Sequence, residues 1–447
     1  MKNIKLEIEN MKEELLKDLE ILVSIPSVLD IKSKEKGAPF GKEIRNVFDA
    51  FEIIAKRKGF IVKDDDGYAI DAQIGVGEDY IGVLAHLDVV EAFEKAKWNS
   101  KPFSLKEENG ILYGRGVNDD KGPLLAALYA MELIQKQNLK LKYPIRLIAG
   151  GAEETTWECM EHYFKGHKQP ICGFSPDGNF PIVNGEKGIL QFAFHFPLDE
   201  TKMQIRCGER LNFVCDALEL LTPTQSISFH GKRALSRNPQ RGENAIFAFV
   251  KQCKGNAKYE TPFYYMMEML NNEFLDDFYG KKSGLFAEDK EMGTTSVCPM
   301  SITWNQSKRE VCIDVRYVKS ISEEELINKL NEIAKRYHAN LEIIKRKKLL
   351  FVNEDSTLVT SLKKAYTKVT HEESETFTKG GASYARVLDN GIAFGATFPD
   401  EDPFPHMPNE HMSINSLLKA CEIYYEALCY LAVDEENKSF IDDKLPH

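Results

Sequence analysis

Between Met11 and Val23 the apolar positions Met11, Leu15, Leu16, Leu19, Leu22 and Val23 recur at helical spacing, and Pro26 stops the pattern. A second helical stretch runs from about Lys42 to Lys58 and closes at Gly59. Then "YIGVLAHLDVV", "LYGRGVNDDKGPLLAALYAMELIQ" and "YPIRLIAGGAEETTWECMEHYF" each carry a short apolar run of strand type, the second and third followed by helical stretches. Strands alternating with helices predict an α/β domain built on a mostly parallel sheet. In such sheets ligands gather outside the carboxyl ends of the strands.

After about Gly188 the pattern changes. "LQFAFHF" and "QSISFHGKRAL" alternate, "EVCIDVRYV" follows, and helical segments such as "SEEELINKLNEIAKRYH" intervene, which predicts an antiparallel α+β domain. From about Thr376 the short run "GIAFGATF" and the helix "SINSLLKACEIYYEALCYLAV" return to the first texture. The expected architecture is a discontinuous α/β domain, residues 1–187 and 376–447, with an α+β domain inserted over 188–375. No repeat period and no low-complexity tract interrupts it.

At 447 residues the chain exceeds one ordinary core, and about 100–200 residues per domain suggests two or three units. Apolar residues at 43% and charged residues at 28% are usual for a globular protein. A formal net charge of −11 gives no sign of a basic stripe, so neither nucleic acid nor an anionic membrane is expected as a partner. Nine cysteines, odd in number and without a CxxC pair, argue for reduced thiols and a cytoplasmic protein. The opening segment "MKNIKLEIENMKEELLKDLEILVSIPSV" carries charges throughout and reads as neither signal peptide nor anchor.

Five segments set oxygen and nitrogen ligands where a parallel sheet would gather them. "AHLD" gives His86 and Asp88, which alternation puts on one face of an extended chain. "GRGVNDDKG" gives Asp119 and Asp120, "GGAEET" gives Glu153 and Glu154, "SPDG" gives Asp177, and "PHMPNE" gives His406 and Glu410. Each is weak alone: a single histidine is most often hydrogen-bonded in a core or on a surface, and paired acids commonly sit at helix N-termini, which suits Asp120. Glu153 and Glu154 directly follow an apolar strand and would otherwise leave two charges at a core edge. Together, imidazoles and several carboxylates suit zinc, with manganese or cobalt as alternatives, and one shared carboxylate can hold two cations about 3.5–4 Å apart.

The order and spacing of "IPSV", "AHLD", "GRGVNDDKGP", "AEE", "SPDG", "NGEKG", "GGASYAR" and "HMPNE" resemble the di-zinc metallopeptidase family of aminoacylases and carnosinases, closest to its dipeptidase V-like (Xaa-dipeptidase) branch. The resemblance covers nearly the whole chain. It implies that His86 and Asp177 bind one metal, that Glu154 and His406 bind the other, and that Asp119 bridges both. It further implies Asp88 as the carboxylate that orients His86, and Glu153 as general base on a water between the ions. Asp177, where carboxypeptidases and acyl-amide hydrolases of the family usually carry Glu, points to dipeptides with a free amino terminus rather than to the N-acyl amino acids of a deacylase or desuccinylase.

The inserted region resembles the family's lid. There "RLNFVCDA" would supply Asn212 and "IDVRYV" would supply Arg316 for substrate binding, Arg316 also being placed for a plain salt bridge with Asp314. The length of this lid resembles a built-in second subunit and implies a monomer. One departure stands out: "GKRALSRNPQRGENA" has Ala234-Leu235 where the family has Ala-His. That histidine polarises the scissile carbonyl in relatives, and leucine cannot donate a hydrogen bond. His230, five residues earlier, is too distant along an extended strand to substitute without rearrangement. The expectation is thus a metal-dependent dipeptidase, against the alternative of a degenerate relative that binds metal and a peptide-like ligand with little turnover.

Overall fold

The computed structural model describes residues 3–200, 202–207 and 212–434. They form two compact units. One comprises the described residues of Met1–Asn184, Val352–Phe377 and Ser383–His447; the other comprises those of Gly185–Phe351 and Thr378–Ala382.

In the first unit, helix Ile4–Ser24 starts ahead of the apolar spacing because the Asn3 side chain accepts the Leu6 N–H and caps it. Ile8, Met11, Leu15, Leu19, Leu22 and Val23 form its buried face. Helix Lys42–Arg57 ends before Gly59, whose φ of 83° lies in the left-handed region that glycine tolerates. The central sheet runs in the order Ile61–Asp65, Ala69–Ile74, Ile145–Gly150, Ile81–His86, Cys172–Ser175, Gly391–Ala393. Its first pairings are antiparallel, and the strands from Ile145–Gly150 to Gly391–Ala393 run parallel. Every residue of Ile81–His86 and Cys172–Ser175 is buried, which is why those strands read as unbroken apolar runs. Helix Lys121–Lys136 is buried continuously from Lys121 to Ile134 and packs on helix Ile414–Ala432 and on the central strands.

Helix Thr357–Thr370 falls inside the stretch expected for the insertion, yet it packs on Ile414–Ala432 in the first unit. Its Leu358, Val359, Leu362, Ala365 and Tyr366 join the first unit's core, so the chain re-enters that unit at Val352, earlier than 376. An amphipathic helix shows a buried face in its sequence but not the partner that covers it.

The second unit is α+β. Its antiparallel sheet runs in the order Ser226–His230, Ala217–Leu221, Gln204–Cys207, Ser296–Trp304, Arg309–Tyr317, Gly188–His195, Asn340–Lys347. Leu190, Phe192 and Phe194 pack with the helices Ala245–Cys253, Pro262–Met269 and Glu323–Arg336, while Ala193 packs with Val214, Cys298, Met300 and Cys312 in a separate cluster. All nine cysteines are free thiols. Among the described residues no helix is long and apolar enough to cross a membrane.

Candidate metal centre and active site

Three neighbouring parallel strands deliver the cluster. His86 ends Ile81–His86 and lies opposite Gly150, the last residue of the adjacent strand, after which the chain turns through Glu153 and Glu154. Asp177 follows the third strand, Cys172–Ser175. Asp119 precedes helix Lys121–Lys136, and His406, at a left-handed φ of 64°, comes from the loop before strand His411–Ser413.

The two oxygens of Asp119 are divided between two imidazoles: Oδ1 lies 3.0 Å from His86 Nε2, and Oδ2 lies 2.9 Å from His406 Nε2. His406 Nε2 is also 3.0 Å from Glu154 Oε2, and His86 Nε2 is 3.9 Å from Asp177 Oδ2. Two groups have ligand atoms within 4.8 Å of one another and could each hold a metal ion: His86, Asp119 and Glu154, and His86, Glu153 and Asp177. His86 Nδ1 lies 2.9 Å from the main-chain oxygen of Asp88 and Nε2 lies 3.0 Å from Asp119 Oδ1; both oxygens can only accept, so both ring nitrogens donate. Although burial disfavours the imidazolium, Asp119 and Asp88 hold the His86 pKa well above the usual value, so a cation would displace the Nε2 proton.

Burial opposes charge throughout the cluster, and the neighbours decide the outcome. Burial and the Asp119 charge push Glu154 up to about 7, against the pull of His406. Glu153 is raised well above the usual carboxylate range by burial and by Asp177, Glu154 and Asp119. Burial disfavours the imidazolium of His406, but Asp119 and Glu154 outweigh it and bring the pKa to about 11. Carboxylates crowded beside imidazoles are the donor set of a dinuclear divalent-metal site, since cations would offset the repulsion among the acids.

Residues 82–430 match the family model described as Peptidase family M20/M25/M40. The chain is 31% identical, over 96% of its length and 100% of the relative's, to a Bacillus subtilis (strain 168) protein named "Putative dipeptidase YtjP". This chain belongs to peptidase family M20/M25/M40. Its fold is that of the di-peptidase Dug1p from Saccharomyces cerevisiae, with a TM-score of 0.61 at 15% identity, covering 96% of this chain and 97% of that one. It is likewise similar to the Bacillus subtilis YXEP protein, described as a dinuclear metal binding peptidase from the M20 family, with a TM-score of 0.51 at 14% identity and coverage of 95% and 99%. As an M20 metallopeptidase the protein is a hydrolase.

Around the M20 cluster, two expectations from the sequence shift. The Asp88 carboxylate sits 3.6 Å from His86 Nδ1, beyond hydrogen-bonding distance, and instead accepts the main-chain N–H groups of Glu153 at 3.0 Å and Glu154 at 3.1 Å. Asp88 thus orients His86 through its carbonyl and the two glutamates through its side chain. Asp120 stands at the start of its helix without capping it; its Oδ2 accepts the His86 N–H at 3.1 Å. Tyr384, whose hydroxyl lies 2.7 Å from Cys159 Sγ, stacks edge-on against both His86 and Trp157, and the Trp157 indole N–H donates to the Glu153 carbonyl at 2.6 Å.

The role of Glu410 escaped the sequence. Its Oε1 accepts the N–H groups of Gly116, Asn118 and Asp119 at 3.0, 3.1 and 3.2 Å, and its Oε2 lies 2.5 Å from Arg115 Nη1. Glu410 pins the turn that carries Asp119. An acid four residues after His406 was visible, but nothing local identifies its partner 295 residues away.

Asn212 and Arg316 both lie in the second unit. Asn212, at a φ of 72°, accepts from Gln191 Nε2 at 2.7 Å. Arg316 makes the salt bridge the sequence allowed, Nε to Asp314 Oδ2 at 2.8 Å, and donates from Nη1 to the Gly380 carbonyl at 3.0 Å. Leu235 is 39% exposed and bridges Phe213.

Proposed function

We propose that the protein hydrolyses dipeptides with a free amino terminus, using two divalent ions and a glutamate base. The division of Asp119 between His86 and His406 carries this reading, because a carboxylate with one oxygen toward each imidazole is placed to serve two cations at once. His86 and Asp177 would hold one ion, Glu154 and His406 the other, and Asp119 both; zinc suits the donor set, with manganese or cobalt as alternatives. When bound, the ions supply Lewis acidity and lower the pKa of water toward ~7. Glu153, with its N–H fixed on Asp88 and its carbonyl on Trp157, takes a proton from the attacking water and returns it to the departing amine. Asn212 and Arg316 would bind substrate, Arg316 through a carboxylate. The dipeptidase description of YtjP and the Asp at position 177 both favour dipeptides over N-acyl amino acids. The free thiols support a reducing, cytoplasmic setting, and the protein is taken as a monomer without nucleic-acid or membrane partners.

The deciding experiment loads purified protein with zinc or manganese and assays dipeptides beside N-acetyl and N-succinyl amino acids. Hydrolysis confined to the dipeptides supports the proposal; two bound metals without any hydrolysis would falsify it. Leu235 favours a second reading, a family member that binds metal and ligand with little turnover. Leu235→His is expected to raise kcat for dipeptides by about 10²-fold, the contribution of one oxyanion donor. An unchanged kcat would assign that hydrogen bond to another group.

A further inference from the structure

We propose that Ser27 and Lys121 are positioning residues for the metal centre: through the "IPSV" loop they fix Asp88, and with it His86 and the two glutamates, relative to the turn that carries Asp119. The inference rests on the metal-dependent reading above and involves groups of the first unit alone. The loop, Ile25 to Val28, supplies no ligand and no base, yet it is bonded to the strand end that does.

Ser27 is fully buried and brackets Asp88. Its hydroxyl donates to the Leu87 carbonyl at 2.6 Å, and its own carbonyl accepts the Val89 N–H at 3.0 Å, so the residues on either side of Asp88 are tied to one serine. Asp88 in turn holds His86 Nδ1 with its carbonyl and the N–H groups of Glu153 and Glu154 with its carboxylate. A shift of Leu87 or Val89 therefore disturbs the histidine and both glutamates together.

Lys121 anchors the loop from the other side. Its amino group, also fully buried, donates to the carbonyls of Leu22 at 2.8 Å and Ile25 at 2.9 Å. The Ile25 carbonyl accepts the Ser27 N–H at 2.9 Å as well, so lysine and serine meet on one oxygen. Lys121 comes two residues after Asp119, and its stem lies against the same turn: a Cβ on Gly116, whose N–H donates to Glu410, would come 3.0 Å from Lys121 Cδ. The bonds thus run without a break from the Asp119 turn to the Asp88 strand end. Among the described residues Lys121 forms no ion pair, and burying a lysine without one is costly where a methionine would fill the space. Such a cost fits a group whose hydrogen bonds set the spacing of metal ligands, since supports behind the ligands typically carry 10–100-fold in affinity or activity.

The experiment compares wild type, Ser27→Ala and a control, Tyr129→Phe. Tyr129 is buried on the same helix as Lys121, but its hydroxyl donates to Asp18 at 2.8 Å, so the control loses a buried hydrogen bond that does not lead to Asp88. Each protein is titrated with cobalt(II), its visible spectrum is recorded, and kcat and KM for a dipeptide are measured at saturating metal. Ser27→Ala is expected to weaken cobalt binding about ten-fold, to shift the cobalt bands, and to lower kcat while KM stays unchanged. Tyr129→Phe should match wild type in all of these. Cobalt affinity and bands that Ser27→Ala leaves as in wild type overturn the inference, as does a loss that Tyr129→Phe shares. Folded Lys121→Met should reproduce the Ser27→Ala spectrum, and wild-type bands in that variant would equally overturn it. If wild type binds cobalt but cleaves no dipeptide, the hydrolytic reading falls separately and the binding readouts still decide. If wild type binds no cobalt, the metal reading falls and amide exchange decides: faster exchange at Glu153 and Glu154 in Ser27→Ala, absent from Tyr129→Phe, supports the clamp, and unaltered exchange overturns it.

Discussion

Glu153→Ala should abolish dipeptide turnover while both metal sites fill normally. A general base that also protonates the leaving group contributes typically 10²–10⁴-fold, and alanine leaves no group to replace it, so kcat is expected to fall by about 10³-fold or more. Metal content is the informative half of the measurement. An oxygen of Glu153 lies close enough to His86 and Asp177 for the three to hold an ion together, so the geometry alone allows Glu153 as a ligand. Asp88 separates the two glutamates by anchoring both their N–H groups, and Glu154 is the one placed beside His406. If Glu153 is the base, Glu153→Ala retains two ions per chain by elemental analysis. Loss of one ion would make Glu153 a ligand and transfer the base role elsewhere.

The parts of this site that the sequence disclosed are those where a local pattern coincides with a structural event. Apolar strands that end in polar residues predicted where His86, Glu153, Glu154 and Asp177 would emerge, because parallel strands all present their carboxyl ends on the same edge. Asp119 was legible from its glycine-bracketed turn before a long apolar helix. What stayed hidden depends on partners remote in the chain. The expected Asp88 carboxylate to His86 contact is replaced by a carbonyl contact, since a residue two positions along can offer either group and only the positions of the Glu153 and Glu154 amides select between them. The place of Thr357–Thr370 was hidden for the same reason: its apolar face is generic, and the helix Ile414–Ala432 that covers it lies beyond the stretch that had been grouped with the insertion.

The largest effect on stability is expected at Glu410. Its carboxylate is fully buried against Arg115, itself 1% exposed, and burial raises the Glu410 pKa even though Arg115 draws it down. Removing one member of a buried ion pair strands the other charge, which costs about 3–5 kcal/mol. Glu410→Ala also removes the acceptor shared by Gly116, Asn118 and Asp119, whose buried N–H groups would have no replacement. Urea unfolding of the variant should show the first unit melting at markedly lower denaturant, and hydrogen exchange should speed up at those three amides. The turn that holds Asp119 loosens with them, so metal affinity should fall even in the folded fraction. The double variant Arg115→Met/Glu410→Leu separates the two contributions. Without a stranded charge it should recover the part of the stability lost with the ion pair, because apolar replacements of buried ion pairs are often near neutral, but not the part lost with the three amides. The three amides would still lack their acceptor, so exchange should stay fast and metal binding weak. A Glu410→Ala midpoint within about 1 kcal/mol of wild type would mean that Arg115 finds another partner, and that the Asp119 turn is held by its helix rather than by Glu410.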